Sequence, residues 1–152
     1  MKRRTFVKSS LSTAALAAVP MSRGFGWVHS SNDGELLAIT RTGVEKMLTR
    51  AEVKELADSL TLALITPNSH RYHENRKIWN GMWDNKYPTM IVQCMDVNDV
   101  IKAVNFARTH DLLVAVRGGG HSISGKSVCQ GGMVIDLSYM RNVQIDPKNK
   151  TA

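Results

Sequence analysis

The sequence predicts an α+β fold, on the evidence of a strand–helix–strand pattern followed by strands joined through loops. Residues 90–92 and 112–116 are short runs of mostly branched apolar residues, typical of buried strands. Between them, residues 96–110 place apolar side chains at helical spacing. Because short connections in a βαβ unit favour parallel strands, we expect the first two strands to be parallel. Residues 133–137 and 143–145 predict a third and a fourth strand, and their loop connections favour α+β over α/β.

Capping residues indicate where the two predicted helices begin. Thr49 followed by Glu52 forms a capping box, and apolar residues at helical spacing predict a helix from about residue 50 to 64. Asp96, with Asp99 three residues later, is the predicted N-cap of the second helix.

We expect three segments along the chain: an export signal in residues 1–30, a linker and amphipathic helix in residues 31–66, and a partial domain in residues 67–152. The glycines and mixed composition of residues 23–43 indicate a linker or a loosely ordered segment.

The first thirty residues have the features of a bacterial export signal. A basic stretch, Lys2-Arg3-Arg4-Thr5-Phe6-Val7-Lys8, precedes a weakly hydrophobic run from residue 11 to 21 that is rich in Ala and Ser. The consecutive arginines are similar to the twin-arginine signature. We therefore expect the twin-arginine machinery to export the chain to the periplasm or the medium, and we expect a cofactor downstream because such signals often accompany cofactor-containing proteins. An ordinary basic amphipathic N-terminus is the alternative.

Charge and cysteine content narrow the classes of function. Five of the net seven positive charges fall in residues 1–32, so the other 120 residues carry only +2 and predict no nucleic-acid surface. Cys94 and Cys129 are too few for a disulfide framework and form no CxxC pair. We expect two free, buried thiols, although one bridge between them stays open. No apolar run is long enough for a stable membrane span.

Residues 71–87 are irregular and aromatic. We expect their rings to pack under a loop, with ligand stacking as the less favoured alternative: Tyr72, Trp79, Trp83 and Tyr87. His70 and His73 have a spacing that could ligate a metal on a helix, but no third ligand is nearby, so we predict no metal site.

The motif with most chemical information directly follows the second strand: Arg117-Gly118-Gly119-Gly120-His121-Ser122. Glycines let successive backbone N–H groups turn toward one point and approach a ligand closely, and such a nest binds anions such as pyrophosphate. A P-loop would need Lys and Ser or Thr after the last glycine, and a dinucleotide GxGxxG motif would open a helix. The glycines alone leave open a phosphate-binding loop or a simple hinge.

The chain from about residue 67 to 152 resembles the start of the FAD-binding domain of the berberine-bridge-enzyme-like oxidases, in the vanillyl-alcohol-oxidase (PCMH-type) flavoprotein superfamily. The motifs behind this resemblance are Trp79-Asn80-Gly81-Met82, Met90-Ile91-Val92, Asp99-Val100, Ala103-Val104-Asn105-Phe106-Ala107-Arg108, Val116-Arg117-Gly118-Gly119-Gly120-His121-Ser122, Gly125 and Val134-Ile135-Asp136-Leu137-Ser138.

The resemblance implies that FAD is the cofactor and that the glycine-rich loop holds its pyrophosphate through backbone N–H groups. The implied cofactor-binding residues are Arg117, Gly118, Gly119, Gly120, His121, Ser122 and Gly125. It also implies a covalent bond from His121 to the 8α-methyl group of the flavin, with noncovalent FAD as the alternative. The second, cysteinyl link of many relatives lies several tens of residues further on, so Cys129 is not assigned that role. Asp136 is expected to have a structural role at the end of a strand.

The implied activity is an FAD-dependent oxidoreductase that transfers hydride from an alcohol, a sugar or an amine to FAD. Its substrate domain and catalytic base would lie beyond Ala152, so we expect the chain to be an N-terminal fragment without a catalytic residue of its own. Two alternatives stay open: a catalytically silent secreted module with a vestigial flavin- or anion-binding loop, and a nucleotide-binding module without redox chemistry.

Overall fold

The computed structural model describes residues 34–143 and 145–151, so the predicted export signal lies outside the described residues. The described part of the chain has ten elements in chain order: β1 Leu36–Ile39, β2 Glu45–Leu48, α1 Arg50–Ser59, β3 Ala63–Ile65, α2 Tyr72–Asn75, a 3-10 helix Gly81–Trp83, β4 Met90–Gln93, α3 Val97–Thr109, β5 Val114–Arg117 and β6 Met133–Asp136. This mixture of helices with two small sheets confirms the α+β prediction.

The larger sheet has four strands in the order β3-β4-β6-β5. The last three strands are parallel, which confirms the predicted direction of residues 90–92 and 112–116. These two strands are not hydrogen-bonded to each other, because β6 lies between them. The central position of β6 explains why all four of its residues are buried.

The smaller sheet corrects the prediction of a linker in residues 23–43 for the part that the structure describes, residues 34–43. β1 and β2 pair antiparallel, with Leu36 opposite Leu48. Both side chains are buried in the main hydrophobic core. The end of β1 is tied to the rest of the domain, since the Ile39 N–H donates to the Gly131 carbonyl at 2.7 Å and the Ile39 carbonyl accepts from the Leu113 N–H at 2.9 Å.

Helix α1 begins as predicted but ends five residues early. Thr49 and Glu52 form the predicted capping box. The chain becomes extended at Leu60, and Leu64 lies in β3, antiparallel to β4. Leu60 and Leu64 still pack against the core. Their spacing fits a helix as well as it fits this arrangement, and it is the pairing with β4 that places Leu64 in a strand.

Helix α3 confirms its predicted start and end. The Asp96 carboxylate accepts from the Asp99 N–H at 3.0 Å, and the helix ends at Thr109. The fully buried Asp99 carboxylate accepts from the backbone N–H groups of Met95 and Thr61. Burial alone would raise the pKa of Asp99, but these hydrogen bonds outweigh it and hold the pKa below its usual value.

The sheet has apolar packing on both faces. On one face, β4 and β6 pack against α1, α3 and the hairpin, with Met90, Val92, Met133 and Ile135 buried. On the other face, the buried residues are Ile91, Ala115, Cys129 and Val134. Cys94 and Cys129 are free and buried, as predicted, and burial raises the pKa of each thiol to about 11.

The predicted fourth strand at residues 143–145 is wrong. Val143 and Ile145 lie outside any strand, with 72% and 74% of their surface exposed. Among the described residues near the end of the chain, only an isolated bridge joins Asp146 and Thr151.

Candidate functional site

The glycine-rich loop leaves the sheet at the carboxyl edge of its three parallel strands. In register, Asp136 at the end of β6 lies between Gln93 at the end of β4 and Arg117 at the end of β5. Ligands of open sheets with parallel strands bind outside the carboxyl ends of those strands. Residues 118–122 therefore begin where a ligand site is expected.

Arg117 is the last residue of β5, and its side chain is engaged within the protein. Its guanidinium donates to the Asp136 carboxylate at 2.5 Å, with 7% and 3% of the two side chains exposed. It also donates to the backbone carbonyls of Asn75 at 2.5 Å and Lys77 at 3.4 Å. The predicted structural role of Asp136 is thus confirmed. The side chain of Arg117, a residue predicted to bind cofactor, joins β5 to β6 and to the segment after α2.

The next five residues differ from Arg117 because their backbone donors are open. The N–H groups of residues 118–122 donate to no acceptor in the part of the chain that the structure describes. Gly118 has open space where a Cβ would stand, and Gly120 has φ +73°. Successive open N–H groups with a left-handed residue among them form an anion-binding concavity. Pyrophosphate oxygens are acceptors of the kind that such a concavity binds.

A segment of the chain far from the loop in sequence holds the loop in place. The Trp79 N–H donates to the Gly120 carbonyl at 3.0 Å. The side chains of Asn80 and Trp83 both donate to the Ile123 carbonyl, at 2.9 and 3.0 Å. The carbonyls of Gly120 and Ile123 thus accept hydrogen bonds from residues 79–83, while the N–H groups of residues 118–122 stay open.

Gly125, also predicted to bind cofactor, has a packing role in the structure. It is buried at φ +68°, and a Cβ there would lie 2.3 Å from Cδ2 of Trp83. The glycine therefore allows the indole of Trp83 to lie directly on the backbone of the loop. Sequence reasoning identified the residue but not this reason for it.

His121 and Trp79 lie side by side on the surface. Their ring centroids are 6.3 Å apart. Trp79 is 71% exposed, which corrects the expectation that its ring packs under a loop. Tyr72 follows that expectation, since it is buried and its hydroxyl donates to the Pro88 carbonyl at 2.7 Å.

Neither a metal cluster nor a membrane-spanning helix is found in the described part of the chain. No group of three His, Cys, Asp or Glu side chains there could hold a metal ion. None of the helices in that part is both long and apolar enough to cross a membrane.

Comparison with known proteins indicates the cofactor of the domain. A family model described as FAD binding domain matches residues 88–152, which include β4, α3, β5, the loop and β6. Residues 88–152 are similar to this FAD-binding domain family. FAD is therefore the cofactor of the domain, and the open donors of the loop fit its pyrophosphate.

Curated relatives of this FAD-binding domain are FAD-linked oxidoreductases. The chain is 36% identical over 100 residues to an FAD-linked oxidoreductase of Dictyostelium discoideum, covering 65% of this chain and 22% of the relative. It is 33% identical over 89 residues to (R)-6-hydroxynicotine oxidase of Paenarthrobacter nicotinovorans, covering 59% and 19%. The chain thus spans about a fifth of the length of these relatives.

Solved structures give the same fold. The crystal structure of 6-hydroxy-D-nicotine oxidase from Arthrobacter nicotinovorans superposes with a TM-score of 0.55 at 33% identity, covering 58% of this chain and 19% of that one. Phl p 4, a grass pollen allergen with glucose dehydrogenase activity, superposes with a TM-score of 0.51 at 29% identity, covering 57% and 19%. The fold described above is therefore that of the start of a PCMH-type FAD-binding domain.

Proposed function

We propose that the chain is the N-terminal part of an FAD-dependent oxidase that transfers hydride from an alcohol, a sugar or an amine to FAD. The observation that supports this most directly is the run of five open backbone donors at residues 118–122, at the carboxyl edge of an FAD-binding fold. In this proposal the N–H groups of Gly118 to Ser122 bind the pyrophosphate of FAD. Bound FAD supplies the hydride acceptor of the reaction.

The residues of this chain bind and orient the cofactor. The bonds from Trp79, Asn80 and Trp83 to loop carbonyls hold the donors in one arrangement. Such preorganisation means that binding does not have to order the loop. We propose that the substrate-binding residues and the catalytic base belong to the remainder of a longer protein, as the share of the relatives that is matched suggests.

We propose His121 as the residue that is bonded to the flavin. Its side chain is exposed beside the open donors, and it follows the three glycines directly in the loop. A histidine imidazole is one of the side chains that form covalent bonds as nucleophiles. The names of the relatives, which include an oxidase of 6-hydroxynicotine and an allergen with glucose dehydrogenase activity, support amine and sugar substrates as classes to test.

The test uses the full open reading frame that contains this chain. The purified protein is denatured in acid, and flavin absorbance is measured on the precipitate. We expect flavin to stay with the wild-type protein and with His70→Ala, an exposed histidine before α2, and to be lost from His121→Ala. A protein that never contains flavin would contradict the proposed function. Flavin that acid releases from the wild type would contradict the attachment to His121 alone.

We also propose that residues 1–30 direct export by the twin-arginine route. The support is the sequence of the basic stretch, in which Arg3 and Arg4 precede a short apolar run. A reporter fused after residue 33 should reach the periplasm, and the double change Arg3→Lys with Arg4→Lys should keep it in the cytoplasm. The control Lys2→Arg keeps the charge and should be exported. Equal export of the double variant would contradict the proposal.

A further inference from the structure

Three exposed apolar residues lie close to the loop along the chain or through hydrogen bonds: Trp79, Met82 and Ile123. These residues are 71%, 81% and 77% exposed, among the most exposed large hydrophobics of the described part of the chain. Tryptophan has a large apolar ring whose burial against another ring is favourable. An apolar surface of this kind beside a cofactor loop indicates a contact that the described residues do not themselves make.

The position of Trp79 is fixed relative to the open donors. Its backbone N–H is bonded to the Gly120 carbonyl, in the middle of the donor run. The next residue, Asn80, is bonded through its side chain to the Ile123 carbonyl. The backbone of Trp79 is therefore held beside the loop, and its side chain starts from that position. Its ring lies 6.3 Å from the ring of His121, tilted by 37°.

We propose that the indole of Trp79 packs against the isoalloxazine ring of bound FAD. This inference rests on the proposed function and adds a ring-binding residue to it. A dinucleotide held by its pyrophosphate on residues 118–122 has a planar ring system close to that anchor, and the indole is the large apolar ring tied to the same residues. The ring of Trp79 also lies 6.3 Å from that of His121, the residue proposed to be bonded to the flavin.

The test measures reversible binding of FAD to the full open reading frame in a His121→Ala background, where no covalent bond can form at residue 121. Trp79→Ala should raise the Kd for FAD about tenfold, since stacking on an aromatic side chain contributes roughly this factor. Trp79→Phe should stay within about threefold of the parent. Met47→Ala, at a half-exposed apolar side chain on β2, should leave the Kd unchanged.

Two probes identify the ring that is bound. Flavin mononucleotide contains the isoalloxazine ring and should lose affinity for Trp79→Ala as FAD does, whereas ADP contains adenine and should not. The visible absorption spectrum of the bound flavin should also differ between the parent and Trp79→Phe, a change that a merely structural role would not produce.

The outcomes separate this inference from the proposed function. A parent protein that binds FAD, with the same Kd and flavin spectrum in Trp79→Ala, would overturn the role of Trp79 and leave the proposed function in place. An equal loss of ADP affinity would also overturn it, because the indole would then contact adenine. A parent protein that binds no FAD would overturn the proposed function itself.

Discussion

Arg117 and the five residues that follow it are adjacent in sequence but opposite in their hydrogen bonding. The guanidinium of Arg117 is buried and donates to one carboxylate and two carbonyls. The backbone N–H groups of residues 118–122 donate to nothing in the described part of the chain. Folded proteins pair nearly all of their buried polar groups, as at Arg117, whereas residues 118–122 are exposed or half-buried and their donors are open to solvent or to a ligand.

This difference in hydrogen bonding begins at the peptide bond between Arg117 and Gly118. Arg117 belongs to the hydrogen-bonded scaffold, and residues 118–122 form the proposed binding surface. The buried side chains of Arg117 and Asp136 are satisfied within the chain, because leaving them unpaired would be costly. The N–H groups of residues 118–122 have no acceptor in the described part of the chain, while the carbonyls of Gly120 and Ile123 are bonded to the segment at residues 79–83. Changes on the two sides of this boundary should therefore have different effects, one on stability and the other on FAD affinity.

The largest effect on stability is expected at the buried ion pair. Asp136→Leu leaves the buried charge of Arg117 unpaired and should lower the free energy of unfolding in urea by about 3–5 kcal/mol. The double variant Arg117→Met with Asp136→Leu should recover most of this loss. Asp58→Ala, in the exposed pair with Lys54, should cost less than about 0.5 kcal/mol. A cost for Asp136→Leu as small as that for Asp58→Ala would contradict a structural role of the pair.

A smaller effect is expected where the loop meets Trp83. Gly125→Ala adds a Cβ that collides with the indole and also strains a left-handed residue, so it should cost about 2–4 kcal/mol. Gly43→Ala is the matched control, because Gly43 has φ +83° and open space around it. Backbone strain alone should cost about 1 kcal/mol there. Equal costs in urea unfolding would show that the contact with Trp83 does not hold the loop.

A still smaller effect on the free energy of unfolding is expected from the buried thiols of Cys94 and Cys129. Cys129 lies near the end of the connection from β5 to β6. Burial raises the pKa of Cys94 and of Cys129 from 9.0 to about 11. Between these values the unfolded chain loses thiol protons that the folded chain keeps, so the unfolded state is favoured as pH rises. The free energy of unfolding should fall by on the order of 1 kcal/mol per thiol from pH 9 to 11. Cys129→Ala should show a shallower decline, and an unchanged slope would contradict the burial of this thiol.

The local features of this fold could be predicted from the sequence. Thr49 with Glu52, and Asp96 with Asp99, cap the helices as their spacing predicts. The strands at β4 and β6 follow from continuous apolar runs, since strands buried on both faces have this composition. The run at β5 also predicts a strand, but β5 lies at the edge of the sheet, and its Val114 and Val116 are exposed. The position of the glycine-rich loop after a buried strand, and the FAD cofactor implied by the resemblance, were also predicted.

The features that depend on tertiary pairing could not be predicted in this way. In β2 only Leu48 is fully buried and the other residues are largely polar, so the sequence of the β1–β2 hairpin resembles that of a linker. The apolar spacing of Leu60 and Leu64 fits a helix and a strand equally well. Nothing local shows that Arg117 pairs with Asp136, nineteen residues away, because that contact exists only when β6 lies beside β5.

The exposure of Trp79 is a further feature that depends on contacts between distant segments and not on local sequence. Composition favoured packing for the whole aromatic group, and Tyr72 does pack as composition suggests. The backbone bond to Gly120 holds Trp79 at the surface beside the loop instead. A motif can therefore be recognised from sequence, while the partners that hold it depend on contacts between distant segments.

The measurement that tests the role of the open donors most directly is FAD binding by Gly118→Ala. Beyond its chain neighbours, Gly118 has no atom within 4 Å of the position that a Cβ would occupy, so the change should alter the free energy of unfolding by less than about 0.5 kcal/mol. The added methyl group would stand beside the open donors, and the Kd for FAD in the His121→Ala background should rise at least about tenfold, or about 1.4 kcal/mol. Gly43→Ala should leave this Kd unchanged. If Gly118→Ala binds FAD as tightly as its parent, the open donors of residues 118–122 are not the site of the pyrophosphate.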